Sequence, residues 1–338
     1  MSSLEPVPAA GQPEARPLAS RFTFEPRQVM ALLRQRIVGQ DAALAAVEAQ
    51  LKVLKADIGD RERPLGVNLF MGPTGVGKTE IVRLLAQAIH GRADAMCRID
   101  MQTLAQEHYA AALTGAPPGY VGSKEGVSLF DSELIQGSYS RPGIVLFDEL
   151  EKASDEVLRS LLGILESGTL TLASGSHTLD FRNSLIFMTS NIGAQQANAR
   201  RQRLSGWRSL LGRFGEAEAQ VLERALHSRF EPEFLNRIDR ILVFERIEGR
   251  WLEALLDIEL GKLNKRLGPH RSLSLDDAAR AWLCREHDPR FGARALVRRV
   301  RVELEPAIAD YLLAGAGSGP MRATVRDQRL VVLAQAGG

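Results

Sequence analysis

Short apolar segments along the first two thirds of the chain have the pattern of buried β-strands. Residues 67–71, 144–147 and 185–188 are mainly apolar, and a similar segment lies near 96–100. Apolar runs of this length are typical of strands that are covered on both faces, as in parallel sheets. Polar or glycine residues follow these strands, and ligands bind at that carboxyl edge of a parallel sheet.

Helical patterns separate these strands. Apolar residues recur at helical spacing around 28–36 and 41–56, where Asp41 is placed to cap the second helix, and from Lys78 to about His90. Strands that alternate with helices indicate a three-layer α/β fold with a mostly parallel sheet.

The pattern changes after Phe244. Three segments have a helical pattern, at 249–266, 276–286 and 293–314. Two short strand-like runs follow them, at 321–325 and 329–333. Residues 1–21 are rich in Pro, Ala, Gly and Glu without apolar periodicity. We therefore predict a disordered tail over 1–21, a large α/β domain over 22–244 and a small, mainly helical domain with short strands over 245–338.

The composition is that of a globular protein, with 45% hydrophobic and 25% charged residues. A net charge of +2 from 43 basic and 41 acidic residues argues against a surface that coats nucleic acid. No apolar run is long enough to span a bilayer and no secretory signal begins the chain, so we expect a cytoplasmic protein without a membrane partner. Cys97 and Cys284 are too few for a disulfide framework and are expected to be buried and reduced.

The segment between the first strand and its following helix carries the pattern G-x4-G-K-[ST]. It consists of Gly72, Pro73, Thr74, Gly75, Val76, Gly77, Lys78 and Thr79, and is called the P-loop below. Glycines let the backbone curl so that its N–H groups point at phosphates, and the helix start adds positive partial charge. The lysine is expected to reach the β- and γ-phosphates, and the threonine hydroxyl to bind Mg²⁺. A purely structural glycine turn is the alternative interpretation.

Two carboxylates follow the apolar strand at 144–147. Asp148 is expected to hold Mg²⁺ through its water shell, and Glu149 to polarise the attacking water. Asn191, which follows the strand at 185–188, is placed to reach the γ-phosphate. Taken singly, these residues would indicate a strand end and a capping Asn. Together with the P-loop they predict ATP hydrolysis, with ATP and Mg²⁺ as ligands.

Further short segments identify a family. They are, in chain order, Arg36–Asp41, Gly115–Gly122, Leu146–Lys152, Asp180–Asn183, Thr189–Asn191, Phe230–Asp239 and Asp288–Arg294. With the P-loop, they resemble the second, C-terminal ATPase module of the Clp-type AAA+ ATPases such as ClpB and ClpA, over about residues 30–335. The resemblance implies a AAA+ P-loop fold followed by a small Clp-type domain.

The resemblance also assigns roles to single residues. Ile37 and Val38 would wrap the adenine, and Glu80 would lie with the P-loop at the nucleotide. Arg237 matches the arginine finger, which acts on the ATP of a neighbouring subunit, and Arg294 matches a sensor of the nucleotide state. A residue that acts in trans implies a head-to-tail interface that closes into a ring, and the family resemblance makes that ring a homohexamer.

The segment Gly115–Gly122 bears on what the ATP is used for. Its Pro-Pro-Gly sequence predicts a turn that exposes Tyr120 and Val121. In Clp ATPases the aromatic residue of this loop projects into the central pore and grips unfolded polypeptide. The resemblance thus implies a protein unfoldase or remodelling chaperone. Its substrates would be unfolded or aggregated proteins, and an adaptor or partner protein is a further expected partner.

The chain departs from the family in ways that affect its partners. We expect it to lack the first ATPase ring, the coiled-coil middle domain and the folded N-terminal domain of the family. A single-ring motor and one half of a two-component machine are then the alternatives. Arg213 interrupts Leu211–Phe214, a near match to the loop that docks on the peptidase ClpP, so we do not expect ClpP docking. The arginine-rich segment 194–215 is expected to be a solvated insertion, with partner docking as the alternative.

Two other functions stay open. A nucleotide-gated scaffold would bind ATP and assemble without moving a substrate. A nucleic-acid-remodelling AAA+ motor is disfavoured by the near-neutral charge and by the hydrophobic rather than basic loop at Tyr120.

Overall fold

The computed structural model describes residues 20–105, 129–171, 178–192, 224–285, 292–315 and 319–335. Within these ranges the elements are, in chain order, α1 (Pro26–Arg36), α2 (Asp41–Lys55), β1 (Gly66–Met71), α3 (Lys78–His90), β2 (Cys97–Asp100), α4 (Ser132–Gln136), β3 (Gly143–Asp148), α5 (Asp155–Ser167), β4 (Thr169–Thr171), β5 (Thr178–Asp180), β6 (Ser184–Ser190), α6 (Pro232–Asn236), β7 (Arg240–Val243), α7 (Arg250–Leu267), β8 (Ser272–Leu275), α8 (Asp277–Cys284), α9 (Ala293–Arg299), α10 (Glu305–Leu313), β9 (Pro320–Arg326) and β10 (Arg329–Ala334). A 3₁₀ turn, Leu150–Lys152, follows β3, and a π-helical turn, Val300–Leu304, joins α9 to α10.

The central sheet has the strand order β2-β3-β6-β1-β7, and its described strand pairs are all parallel. β1, β3 and β6 are buried along their whole length, as their apolar runs predict. Alternate side chains enter different cores: Leu69 packs with α5, whereas Phe70 packs with α1, α2 and α3. This is the predicted three-layer α/β fold, and the P-loop lies at the carboxyl edge of its sheet.

A smaller unit follows β7. Its three-stranded sheet has the order β10-β9-β8, in which β9 pairs antiparallel with β10 and parallel with β8. This sheet packs with α7 to α10 around a core of its own. Phe244 still belongs to the core of the large unit, and Ile247 belongs to the core of the small one. These contacts support our proposal of a domain boundary between residues 244 and 245.

The prediction that Asp41 caps α2 is wrong. Asp41 is the first residue of the helix, and Gln40 holds the N-cap position without a side-chain cap hydrogen bond. The Gln40 amide instead binds the backbone of Glu245, donating to its carbonyl oxygen at 2.8 Å and accepting from its N–H at 2.9 Å. Asp41 still lies in the first turn, where the helix dipole favours negative charge.

The described fold begins two residues before the predicted start of the large domain. Ser20 and Arg21 belong to the described fold, and Arg21 binds Asp57 at 3.0 Å and Asn183 at 3.1 Å. The side chain of Arg21 therefore ties the start of the described chain to the large domain. Residues 1–19 lie outside the described residues.

The single helix expected over 293–314 is divided in two. α9 ends at Arg299, and α10 begins at Glu305 after the π-helical turn. Pro306 lies at the start of α10, and because it has no N–H and crowds the preceding turn, it interrupts a regular helix. Cys284 is only partly buried, contrary to expectation, whereas Cys97 is buried; both are free thiols.

Candidate nucleotide site

The P-loop curls tightly between β1 and α3. Gly72, Gly75 and Gly77 have positive φ angles of 143°, 73° and 104°. A Cβ on Gly72 would lie 2.6 Å from the carbonyl oxygen of Phe244, so a larger residue does not fit there. Gly77 directly precedes α3, and the free N–H groups at the start of this helix therefore point toward the loop.

The buried ammonium group of Lys78 has acceptors on both sides. It donates to the carbonyl oxygens of Gly72 at 2.5 Å and Pro73 at 2.7 Å, and to Oδ1 of Asn191 at 2.8 Å. Phosphate oxygens are stronger acceptors for an ammonium group than carbonyl oxygens are. Lys78 is therefore placed to transfer these hydrogen bonds to a nucleotide.

The surroundings of Lys78 change its protonation. Burial lowers the pKa of Lys78 from 10.5 to about 8. The carboxylates of Glu151, Asp148 and Glu149 oppose this effect, and the guanidinium of Arg294 adds to it. The lysine is thus less firmly protonated than an exposed one, and added negative charge in the cavity would raise its pKa again.

Asp148 ends β3 beside the P-loop. Its Oδ1 accepts hydrogen bonds from Thr189 Oγ1 at 2.5 Å and from Thr79 Oγ1 at 3.4 Å. Its Oδ2 accepts two hydrogen bonds from the guanidinium of Arg98. A hydroxyl and a carboxylate side by side are hard oxygen donors of the kind that Mg²⁺ prefers, so Thr79 and Asp148 fit this ion.

Glu149 follows with a left-handed backbone, at φ 59° and ψ 52°. Such angles are uncommon for residues other than glycine and cluster at functional sites. Its N–H donates to Thr189 Oγ1 at 3.0 Å, and the same hydroxyl donates to Asp148. Thr189, on the neighbouring strand β6, therefore fixes both acidic residues.

Asn191 follows β6 and is held from two sides. Its Oδ1 accepts from Lys78, and its backbone N–H donates to Glu151 Oε1 at 3.2 Å. The other carboxylate oxygen of Glu151 is buried and has no hydrogen-bond partner among the described residues. Arg229 holds this turn by donating to the backbone oxygens of Glu151, at 3.2 Å, and Ala153. Glu151 is thus a further acidic residue of the site.

A cavity of about 740 Å³ lies between the P-loop and the small domain. Pockets for small-molecule ligands typically measure about 300–1,000 Å³. Most residues expected to bind or hydrolyse ATP line it: Ile37, Val38, Thr74, Gly75, Val76, Gly77, Lys78, Thr79, Glu80, Asp148, Glu149, Asn191 and Arg294. Gly72 and Pro73 contribute through the carbonyl oxygens that hold Lys78.

The cavity also has a basic lining that the sequence analysis did not predict. It includes the side chains of Arg36, Arg83, Arg98, Lys262, Arg298 and Arg301. Excess positive charge along a cleft suits a ligand that carries several negative charges, as a nucleotide does.

Arg237 lies away from this cavity and is not among the described residues that line it. It is the C-cap residue that follows α6, and its guanidinium pairs with Glu166 of α5 at 2.6 Å. Its side chain is 39% exposed, so it is available to another molecule. Tyr120, Val121 and the segment 194–215 lie outside the described residues.

Sequence reasoning missed the parts played by Arg98, Thr189 and Glu151. Thr189 and Glu151 stand within the quoted segments, and their polar side chains beside Asn191 and Glu149 were a usable signal. Arg98 gave no such signal, because its contact depends on the register between β2 and β3.

Comparison with known families decides what this site belongs to. An AAA domain (Cdc48 subfamily) model matches residues 63–241, and the model of the C-terminal, D2-small domain of ClpB protein matches residues 249–325. The first match alone spans more than half of the chain. The chain belongs to the Clp-type AAA+ ATPases. It is therefore an ATP-hydrolysing enzyme.

Several proteins are similar to this Clp-type ATPase. The "ATP-dependent protease ATP-binding subunit-like protein AmiB" of Pseudomonas aeruginosa is 53% identical over 305 residues, which cover 88% of this chain and 82% of that protein. A protein of similar name from Rhodococcus erythropolis is 42% identical over 296 residues, covering 86% of this chain and 84% of that protein. The "Chaperone protein ClpB" of Leptolyngbya boryana is 40% identical over 283 residues, covering 83% of this chain but only 31% of ClpB.

A solved structure shares the fold. A closed-state cryo-EM reconstruction of Hsp104 with ATPγS and FITC casein superposes with a TM-score of 0.76 at 26% identity. The superposition covers 91% of this chain and 51% of the Hsp104 chain. The Clp-type ATPase thus matches about half of Hsp104 and about a third of ClpB. Among its described helices, none has both the length and the apolar character that crossing a bilayer requires.

Proposed function

We propose that this Clp-type ATPase is an ATP-driven protein unfoldase or remodelling chaperone, which assembles into a ring and threads polypeptide through its centre. One observation carries the proposal: Lys78, Asp148, Glu149 and Asn191 meet in a cavity that the small domain closes at the P-loop. Because both domains border the nucleotide, its hydrolysis changes the contacts between them. Such a change supplies the movement that mechanical work requires.

The residues of the site perform hydrolysis as follows. Lys78 turns its hydrogen bonds from backbone carbonyls to the β- and γ-phosphates, and Asn191 orients the γ-phosphate and the water beside it. Glu149 accepts a proton from the water while the water oxygen bonds to the γ-phosphorus. The bond from that phosphorus to the bridging oxygen breaks, which leaves ADP and phosphate. Mg²⁺, which Thr79 and Asp148 would hold, neutralises phosphate charge when bound.

Two arginines link each site to its surroundings. Arg294 lines the cavity from α9, so it reports the nucleotide state to its own small domain. Arg237 is exposed outside the cavity, and in a ring it stabilises charge on the ATP of the neighbouring subunit. A residue used in this way needs a head-to-tail interface, and we propose a homohexamer as in the family that the chain resembles.

Relatives support polypeptide as the substrate. One is named a chaperone, and the Hsp104 reconstruction contains FITC casein. Tyr120 and Val121 would supply the pore loop that grips unfolded or aggregated protein, because aromatic faces pack against almost any side chain. We also propose that an adaptor or partner protein binds this ATPase. ClpP is not proposed as that partner, because Arg213 interrupts the segment Leu211–Phe214.

The proposal is tested by Glu149→Gln, with Glu156→Gln, an exposed acid of α5, as the control. Loss of the general base should lower phosphate release about a hundredfold or more. The variant should still bind ATP, elute as a ring in size-exclusion chromatography and retain fluorescently labelled casein. Negligible turnover by the unaltered chain despite ATP binding would favour a scaffold, and salt-dependent DNA affinity without casein retention would favour a nucleic-acid motor.

A further inference from the structure

A cation of the protein itself contacts the carboxylate that is expected to hold the metal. Arg98 lies on β2, and its Nε and Nη2 donate to Asp148 Oδ2 at 3.1 Å and 2.6 Å. The Asp148 side chain is only 10% exposed, whereas the Arg98 side chain is 51% exposed and lines the nucleotide cavity. The guanidinium thus reaches the carboxylate from the cavity side.

The remaining contacts of Asp148 show why this cation matters. Its Oδ1 accepts from the hydroxyls of Thr79 and Thr189, which are neutral donors. A carboxylate that is largely buried needs compensating positive charge. Among the described residues, Arg98 is the cation that pairs with Asp148. Arg98 and the hydroxyl of Thr79 therefore bind the two different oxygens, Oδ2 and Oδ1, of the same carboxylate.

We propose that Arg98 is an internal substitute for the divalent cation at Asp148. It neutralises the carboxylate while no metal is bound, and it leaves Asp148 when Mg²⁺ binds with a nucleotide. This inference rests on the proposed nucleotide site, because it assigns the metal to Thr79 and Asp148. Since a dication and a guanidinium repel each other, pairing both with the one carboxylate of Asp148 costs binding energy even when they lie at its two different oxygens.

Arg98 is exposed enough to leave Asp148 when Mg²⁺ binds. A half-exposed guanidinium moves into the cavity without being stripped of water, and it remains close to the phosphates there. The basic lining of the cavity already includes Arg294 and Arg298, so the displaced side chain joins cations that face a nucleotide. Arg98 is therefore a positioning residue for Asp148, and its charge affects metal-free and metal-bound nucleotides in opposite ways.

The variant Arg98→Gln is expected to affect the binding of metal-free and metal-bound nucleotide differently. Without Arg98, Asp148 repels the phosphates of a metal-free nucleotide, so ADP in EDTA should bind at least about fivefold more weakly. With Mg²⁺ present the competing cation is gone, so ADP should bind as tightly as in the unaltered chain or more tightly. Isothermal titration calorimetry gives the Kd of ADP in EDTA and in Mg²⁺. The Kd in EDTA divided by the Kd in Mg²⁺ is the EDTA-to-Mg²⁺ ratio, which is compared between variants. Mn²⁺ affinity of the ADP complex, from electron paramagnetic resonance, should rise.

Two variants control for other effects. Arg98→Lys keeps the charge and should hold the EDTA-to-Mg²⁺ ratio near that of the unaltered chain. Arg92→Gln removes an exposed arginine paired with Asp94 and should leave the ratio unchanged, while thermal melting checks that every variant folds. An Arg98→Gln ratio equal to that of the unaltered chain, with normal ADP binding, would overturn this inference alone. Failure of the unaltered chain to bind ADP in either buffer would overturn the proposed function with it.

Discussion

The backbone N–H of Ala293 donates a hydrogen bond to the carbonyl oxygen of Gly75 at 2.8 Å. The first residue of α9 therefore rests on the P-loop, and Arg294, next in sequence, lines the cavity. The P-loop lies in the large domain, whereas α9 lies in the small domain. A nucleotide that shifts the loop must therefore also shift the start of α9, which gives the site a direct mechanical connection to the small domain.

Gly292→Ala should disturb this connection. Gly292 has φ +50°, and a Cβ on it would lie 2.7 Å from the carbonyl oxygen of Gly75. The contact is with backbone, so the added methyl group forces α9 away from the P-loop, at a strain of about 1–3 kcal/mol. We expect weaker ADP binding in isothermal titration calorimetry.

Gly163→Ala is the matched control, since nothing lies within 4 Å of the added methyl group in the middle of α5. It should bind ADP as the unaltered chain does and gain up to about 1 kcal/mol of stability from helix propensity. Unchanged ADP affinity in Gly292→Ala would show that the contact between α9 and the P-loop does not support the site.

Nucleotide binding should take up a proton at alkaline pH. Burial lowers the pKa of Lys78 to about 8, so at about pH 9 most of the free protein carries a neutral amine. Phosphate charge raises this pKa, and the amine is protonated on binding; below about pH 7 it is already charged in both states. Calorimetry in buffers of different ionisation enthalpy should show uptake at pH 9 and little at pH 7. Equal uptake at both values would contradict the buried, pKa-shifted lysine.

Glu151→Gln should move that proton uptake to lower pH. Among the charged neighbours, Glu151 does most to raise the pKa of Lys78, and the glutamine keeps an acceptor for the N–H of Asn191. Loss of the charge lowers the pKa of Lys78 below about 8, so ADP should bind more weakly near pH 8 but nearly normally at pH 6.5. Glu156→Gln, an exposed neighbour, should leave the profile unchanged. Identical profiles for Glu151→Gln and the unaltered chain would remove Glu151 from the site.

The sequence predicted the fold and much of the site because short, local segments contain them. The glycines before Lys78 and the apolar residues before Asp148 each define a strand and its carboxyl end. The parallel central sheet confirms that interpretation. α5 was also predictable: Ser154 caps it, and Gly168 ends it with φ +66°.

Other features depend on three-dimensional relationships that the sequence does not contain. Arg98 and Asp148 are 50 residues apart and meet only because β2 pairs with β3. An Asp at a helix start suits either the cap or the first turn, and the cap position of Gln40 is set by contacts with Glu245. Long-range pairing and connector geometry were therefore found only in the structure.

The central claim, that ATP hydrolysis drives polypeptide through a ring, is tested most directly by Tyr120→Ala. Phosphate release and the unfolding of a fluorescent protein that carries an unstructured tail should be measured in one sample. Tyr139→Ala is the control, because Tyr139 is 79% exposed on a described turn outside the predicted pore loop. We predict that Tyr120→Ala retains ATP hydrolysis and loses unfolding, whereas Tyr139→Ala retains both. Unfolding by Tyr120→Ala at the rate of the unaltered chain would contradict the threading mechanism.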